Sequence, residues 1–204
     1  MTLHIGLASA AEVTVCARVI AEALRQDPVL YAVLPGEGDR IARLTALCAT
    51  VLRTGPLLNG VIDVARAQPG GEIIGVAAWE GPDRRSSLWA DLRELPRQIR
   101  AVGLGHVPSV LAQLRAYKKA RPKGPHWYLA DIAVSDTARG LGVGSALLAY
   151  RLAAIDAQQL PSYLEATAQA NQRLYERFGF RPTAPIETAG VAPMGMLRPA
   201  DGHP

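Results

Sequence analysis

HWYLADIAVSDTARGLGVGSALL, residues 126–148, changes character halfway along. From Trp127 to Val134 it is an apolar run of strand length, rich in aromatic and β-branched side chains. Its last residues continue as an apolar helical pattern. Between the two stand Arg139-Gly140-Leu141-Gly142-Val143-Gly144. One reading is a tight turn that packs a helix onto a sheet. The other is an anion site. The first turn of a helix has amides without intrahelical partners, the helix dipole adds partial positive charge there, and glycine lets the backbone approach closely. Arg139 supplies a fixed charge and a fork of donors, and such a set suits phosphate best.

Two familiar phosphate loops fit poorly. A nucleotide-binding P-loop needs Lys-Ser/Thr after its glycines, and Ser145-Ala146 follows here. A dinucleotide fold needs Gly-x-Gly-x-x-Gly near the start of a βαβ unit. This loop lies late in the chain, with a hairpin before it.

Downstream, residues 161–166 predict a strand, and residues 169–178 a short helix closed by Gly179. Asn171 and Tyr175 are four apart and share one helix face, while Leu174 and Phe178 share the adjacent apolar one. Upstream, residues 3–8 predict a strand, then a helix capped by Ser9 and stopped by Asp27-Pro28. A second helix runs from Gly38-Asp39 to about Leu52, and residues 61–67 and 72–79 form a hairpin about Pro69-Gly70-Gly71. Residues 86–119 carry helical spacing that Pro96 should break or kink. The tail offers edge strands around Ile186 and residues 194–197, blunted by prolines. The order predicts an α/β (α+β) fold with a mixed, mostly antiparallel sheet. The 204 residues suit one domain, 1–204.

The strand, the Arg139–Gly144 loop, Asn171, Tyr175 and Phe178-Gly179-Phe180 together resemble the GNAT superfamily of N-acetyltransferases. The resemblance is specific from about residue 127 to 182. Arg121-Pro122-Lys123, Leu164-Glu165-Ala166-Thr167 and Tyr175-Glu176-Arg177-Phe178-Gly179-Phe180 are most similar to puromycin N-acetyltransferases. The resemblance implies helices on both sheet faces, a splayed parallel strand pair, and acetyl-CoA as co-substrate. It implies that the amides of Gly140, Leu141, Gly142, Val143, Gly144 and Ser145, with Arg139, hold the pyrophosphate. Ile132, Ala133 and Val134 would pair with the pantetheine arm, Asn171 would bond it further along, and Tyr175 would protonate the departing thiolate.

Acetyl transfer to nitrogen needs a neutral amine, so a carboxylate must take a proton. Glu165 is the first candidate, mid-strand between apolar neighbours, and Asp131 the second. Each is equally readable as a salt-bridged strand carboxylate or as a contact to the cationic amine. Asp27, Tyr31, Trp79, Trp89, Trp127 and Glu165 are candidates for the acceptor pocket, with aromatic walls suited to a flat amine; core packing is their plain alternative.

The resemblance implies direct transfer to a primary amine of a small molecule, an antibiotic of the puromycin type among them. A protein N-terminus or lysine as acceptor, and a non-catalytic acyl-CoA sensor, are the alternatives. Lys and Arg total 22 against 18 Asp and Glu, an excess too small and scattered to suggest nucleic acid. Cys16 and Cys48 read as core residues, which argues against an acyl-enzyme and for a reducing, cytoplasmic setting. No Cys/His cluster has metal-ligand spacing. Neither a secretory pattern nor an apolar run of bilayer length is expected. A homodimer is left open.

Overall fold

The computed structural model describes residues 2–34, 36, 38–83, 88–188 and 192–200, without side chains at 33, 88–92 and 104. Among them, seven strands form one sheet in the order β1-β2-β3-β4-β5-β7-β6. These are β1 (His4–Leu7), β2 (Gly60–Arg66), β3 (Ile73–Glu80), β4 (Trp127–Val134), β5 (Ser162–Ala166), β6 (Arg181–Pro185) and β7 (Met194–Arg198). Neighbours pair antiparallel except β4 and β5, which run parallel. The sheet is thus mixed and mostly antiparallel, as its order of elements predicts.

Strand alternation sends side chains to two apolar cores. On one face, α1 (Val13–Ala23) and α3 (Arg40–Thr54) bury Cys16, Ile20, Leu44, Cys48 and Leu52 against Ile62, Val64, Val76 and Ala78. On the other, α7 (Val143–Asp156) lays Val143, Leu147, Leu148, Leu152 and Ile155 over Ala77, Trp79, Leu129 and Leu164. Gly75 makes this docking possible, because a Cβ there would sit 2.6 Å from Val143 Cγ1. Arg151 of α7 also forks onto the fully buried Asp63 of β2, its Nε donating at 2.8 Å. The charge is buried but paired on both oxygens, the arrangement such a group requires.

Three expectations are corrected. Asp27-Pro28 does more than stop α1. Asp27 Oδ1 accepts the amides of Val29 (2.9 Å) and Leu30 (3.1 Å), and Pro28 fills the first position of a new helix, α2 (Pro28–Val33). Pro96 does not break its helix: α5 (Leu88–Val102) runs through it. The helix is held by packing on α3, where buried Glu94 accepts from Thr50 (3.3 Å) and Arg97 (2.7 Å). The edge strand lies before Ile186, as β6, whose prolines tolerate the unpaired outer side.

A fourth difference concerns α3, which continues through Gly55 into α4 (Pro56–Asn59). The stretch Arg40–Asn59, 20 residues with an 18-residue window of mean hydropathy 1.2, is long and apolar enough to cross a membrane by those two measures. Leu44, Cys48 and Leu52 are nonetheless buried against the body of the fold. The remaining helix of this half, α6 (Val107–Ala120), buries no residue fully and ends at Arg121.

Candidate active site

The site is built where β4 stops pairing with β5. Trp127, Tyr128 and Leu129 of β4 face Ser162, Tyr163 and Leu164 of β5, and the parallel ladder ends there. Glu165 and Ala166 continue on β7 alone, while β4 from Asp131 onward remains paired only with β3. The two strands therefore part. The side of residues 130–134 that faces β5 carries no strand partner among the described residues.

A bulge sits at the same point. Ala78 pairs with Asp131 and Trp79 with Leu129, so Ala130 has no partner across the ladder. Before it, Trp127 and Leu129 point to the α7 face; after it, Ile132 and Val134 do. Tyr128 and Asp131, three apart, thus share the other face. Both line a cavity of about 160 Å³ with Asp27, Leu30, Gln113, Tyr117, Glu165, Thr167, Asn171 and Tyr175.

Asp131 has no side-chain hydrogen bond among the described residues and stands in the cavity wall. Burial, and then the neighbouring charges of Asp27, Glu80 and Glu165, push its carboxyl up to about 7. Glu165 is held quite differently. Its Oε2 accepts from the Tyr128 hydroxyl at 2.7 Å, and its Oε1 lies 3.6 Å from Arg121 Nε. Burial raises its carboxyl above the usual range, with Arg121 and the Tyr128 hydroxyl pulling the other way. Arg121 stacks 3.4 Å over the Tyr128 ring and also reaches Glu80 at 3.7 Å. Asp27, besides capping α2, accepts the Thr167 hydroxyl on Oδ2 at 2.6 Å.

Tyr175 lies on α8 (Gln169–Glu176), buried edge-on against Phe180 with ring centroids 6.0 Å apart. Its hydroxyl has no hydrogen-bond partner among the described residues. Burial and the Asp131 charge raise the phenol well above its usual range, so it keeps its proton at neutral pH. Asn171 is one turn earlier, exposed at the cavity rim.

The glycine loop takes the form an anion site needs. Gly140 and Gly142 have φ of 76° and 77°, which L side chains rarely adopt. The first bond back from α7 runs from the Ala146 amide to the Gly142 carbonyl at 2.9 Å. The amides of Val143, Gly144 and Ser145 therefore have no backbone acceptor among the described residues. Arg139 donates to the Ala23 carbonyl (3.1 Å) and pairs with Asp136 (2.9 Å), which Arg25 also holds at 2.8 Å.

The cavity thus unites Asp27, Asp131, Ile132, Glu165, Asn171 and Tyr175. Ala133 packs instead toward α1, and Val134 packs against the core under α7. Three aromatic candidates are not brought there. Trp79 is fully buried under α7, and Trp127 lies on the same face, with its indole N–H donating to Gln158 at 3.0 Å. Strand alternation puts both on the wrong side of the sheet. Tyr31 is 45% exposed on α2, under the Arg40 guanidinium. The side chain of Trp89 lies outside the described residues. Tyr117, Tyr128 and Thr167 join the site without being pocket candidates by sequence, and Arg121 is marked in the sequence only by the family likeness. A phenol three places before a strand aspartate was the available signal for Tyr128, usable only with the bulge known. Cys16 and Cys48 are buried, and burial raises both thiols, that of Cys16 to about 11.

Known proteins share this fold. The family model described as "Acetyltransferase (GNAT) family" matches residues 61–180, and the chain belongs to that family, whose members use acetyl-CoA as co-substrate. It is 28% identical over 119 residues to an uncharacterized N-acetyltransferase of Schizosaccharomyces pombe, covering 54% of this chain and 48% of the relative. The chain so matches about half the length of that curated relative. A solved structure titled histone acetyltransferase HPA2 and related acetyltransferase, from Corynebacterium glutamicum, superposes with a TM-score of 0.75 at 32% identity, covering 98% of this chain and 97% of that one. An agmatine N-acetyltransferase shares the fold at 13% identity, with a TM-score of 0.60 over 96% and 97% of the two chains.

Proposed function

We propose that this protein is an N-acetyltransferase that moves the acetyl group of acetyl-CoA directly to a primary amine of a small molecule. The observation that carries this reading is the cavity at the β4/β5 parting, which holds an unpartnered carboxylate and an unpartnered, protonated phenol. The glycine loop stands at the end of the same strand. The residues suit acetyl-CoA: free amides at 143–145 for a pyrophosphate, and an unpaired strand edge at 130–134 for the amides of its arm. Arg139 would exchange Asp136 for a phosphate. The co-substrate supplies a thioester as acyl donor.

The residues then divide the proton work. Asp131 takes one proton from the acceptor ammonium, and the freed nitrogen bonds to the acetyl carbon as the carbon–sulfur bond breaks. Tyr175 gives its proton to the departing sulfur. It regains one from the nitrogen that has become an amide, so each turnover releases one proton, through Asp131. Glu165, which the sequence ranked first as the base, is occupied by Tyr128 and Arg121. The geometry supports the reverse order, with Glu165 organising the wall.

A walled cavity of this size suits a compact amine better than a protein segment. Puromycin belongs in any acceptor panel because of the sequence likeness, and agmatine because of the structural one. Two buried free thiols support a reducing, cytoplasmic setting. The test is release of free CoA thiol from acetyl-CoA with a panel of small amines. Turnover supports the reading; acetyl-CoA binding without turnover on any amine would make the protein a sensor instead.

A further inference from the structure

The cavity wall has a charge problem that one ammonium does not solve. Asp27, Asp131 and Glu165 all line it, and no lysine or arginine does among the described residues. Arg121 stands behind the wall, but it is shared between Glu165 and Glu80. Those five groups carry an excess of three negative charges when all are ionised. Buried charge without a counterion is costly, and the usual escape is protonation of the weakest member. Asp131 has taken that escape, with Asp27 as the strongest of its charged neighbours. Two amides and the Thr167 hydroxyl donate to Asp27 and fix the position of its carboxylate. Tyr175, nearly fully buried and with its hydroxyl unpartnered, also lines this cavity and waits for a polar guest.

Resting on the acetyltransferase reading, we infer that the acceptor is a dication, a short α,ω-diamine or an amine with a second fixed positive group, and that Asp27 holds its distal charge. The reacting end goes to Asp131 beside the strand parting. The distal ammonium lies against Asp27, whose Oδ2 keeps a lone pair beyond the three bonds the carboxylate accepts. Tyr117, Tyr128, Leu30 and Leu164 offer apolar and aromatic surface for the methylene chain between the ends. After transfer, the product carries one charge instead of two. It binds less well, so only one end is acetylated.

The experiment compares kcat/KM for putrescine and cadaverine with that for butylamine and pentylamine, using acetyl-CoA and the intact protein. The diamines should lead by about 10- to 100-fold at low salt, and the lead should shrink as salt rises. Mass spectrometry should find singly acetylated product. Asp27→Asn keeps a side chain that caps a helix equally well, so the fold survives, as a thermal melt would verify. Its ratio of diamine to monoamine efficiency should collapse towards unity. Equal efficiency of diamines and monoamines in the wild type overturns the inference while leaving the acetyltransferase reading intact. An unchanged ratio in Asp27→Asn removes Asp27 from the role. Failure on every amine, with acetyl-CoA still bound, defeats the underlying reading first.

Discussion

On the proposed reading, the two halves of the site are made of different material. The donor half is backbone: amides of one loop, an unpaired strand edge, and glycines that free them. The acceptor half is side chains, brought from α2, α6, β4, β5 and α8, which lie up to about 140 residues apart. A backbone site is written locally, since a loop and the helix after it suffice. A side-chain cavity is written nowhere in particular, because it exists only after the sheet has formed. Mutation should therefore act on the two halves in different ways.

The sharpest break is Asp131→Asn. Loss of the base should lower kcat by about 10²- to 10⁴-fold, with KM for acetyl-CoA little changed. In the wild type, kcat/KM should rise with pH through about 7, because only the ionised Asp131 accepts a proton. The groups that set this value are Asp27, Glu80 and Glu165 around it, with Tyr175 and Tyr128 on the same cavity. Glu165→Gln should keep that rise, displaced to lower pH by the loss of a like charge. A profile that loses the rise in Glu165→Gln and keeps it in Asp131→Asn would return the base to Glu165.

Tyr175→Phe comes next. Stopped-flow or steady-state thiol release should fall by about 10²-fold while acetyl-CoA affinity, measured by calorimetry, persists. On the donor half the pattern should invert. Gly142→Val forces a β-branched residue into a φ of 77°, strain of about 1–2 kcal/mol. KM for acetyl-CoA should rise roughly 10-fold, with the acceptor dependence barely moved.

The smallest effect is on stability, and it opposes the largest. The folded-state carboxyl of Asp131 is raised above its ordinary 3.8 to about 7. The native state thus binds a proton more readily than the unfolded chain, and stability falls as pH rises between those values. Asp131→Asn should melt a few degrees higher than wild type at pH 8 and level with it at pH 4. Equal melting at both would mean that solvent relieves the charge.

The sequence legibility of the site follows the same division. The loop, Asn171 and Tyr175 are readable because their spacings are short and fixed by one helix or one turn. Asp27 is a pocket candidate by sequence, but its cap and its bond to Thr167, 140 positions away, are not visible there. The tryptophans misled for a related reason. Aromatic residues announce a pocket or a core with equal force, and only strand parity decides, which for Trp79 and Trp127 favours the α7 side. Local propensity argues for a break or kink at Pro96; there is no break, since α5 runs through it, packed on α3.

Ala130 gives that parity its lever. Its side chain does little; the bulge takes up the one residue it adds. With Ala130 unpaired, Tyr128 and Asp131 look the same way although two residues stand between them. A regular ladder through all of residues 127–134 would instead turn Asp131 toward the apolar layer under α7, with Ile132 and Val134 turned out of it. Substitution at this position should be permissive. The strand thereby stores its chemistry as arithmetic: an even number of residues between two groups that must look the same way.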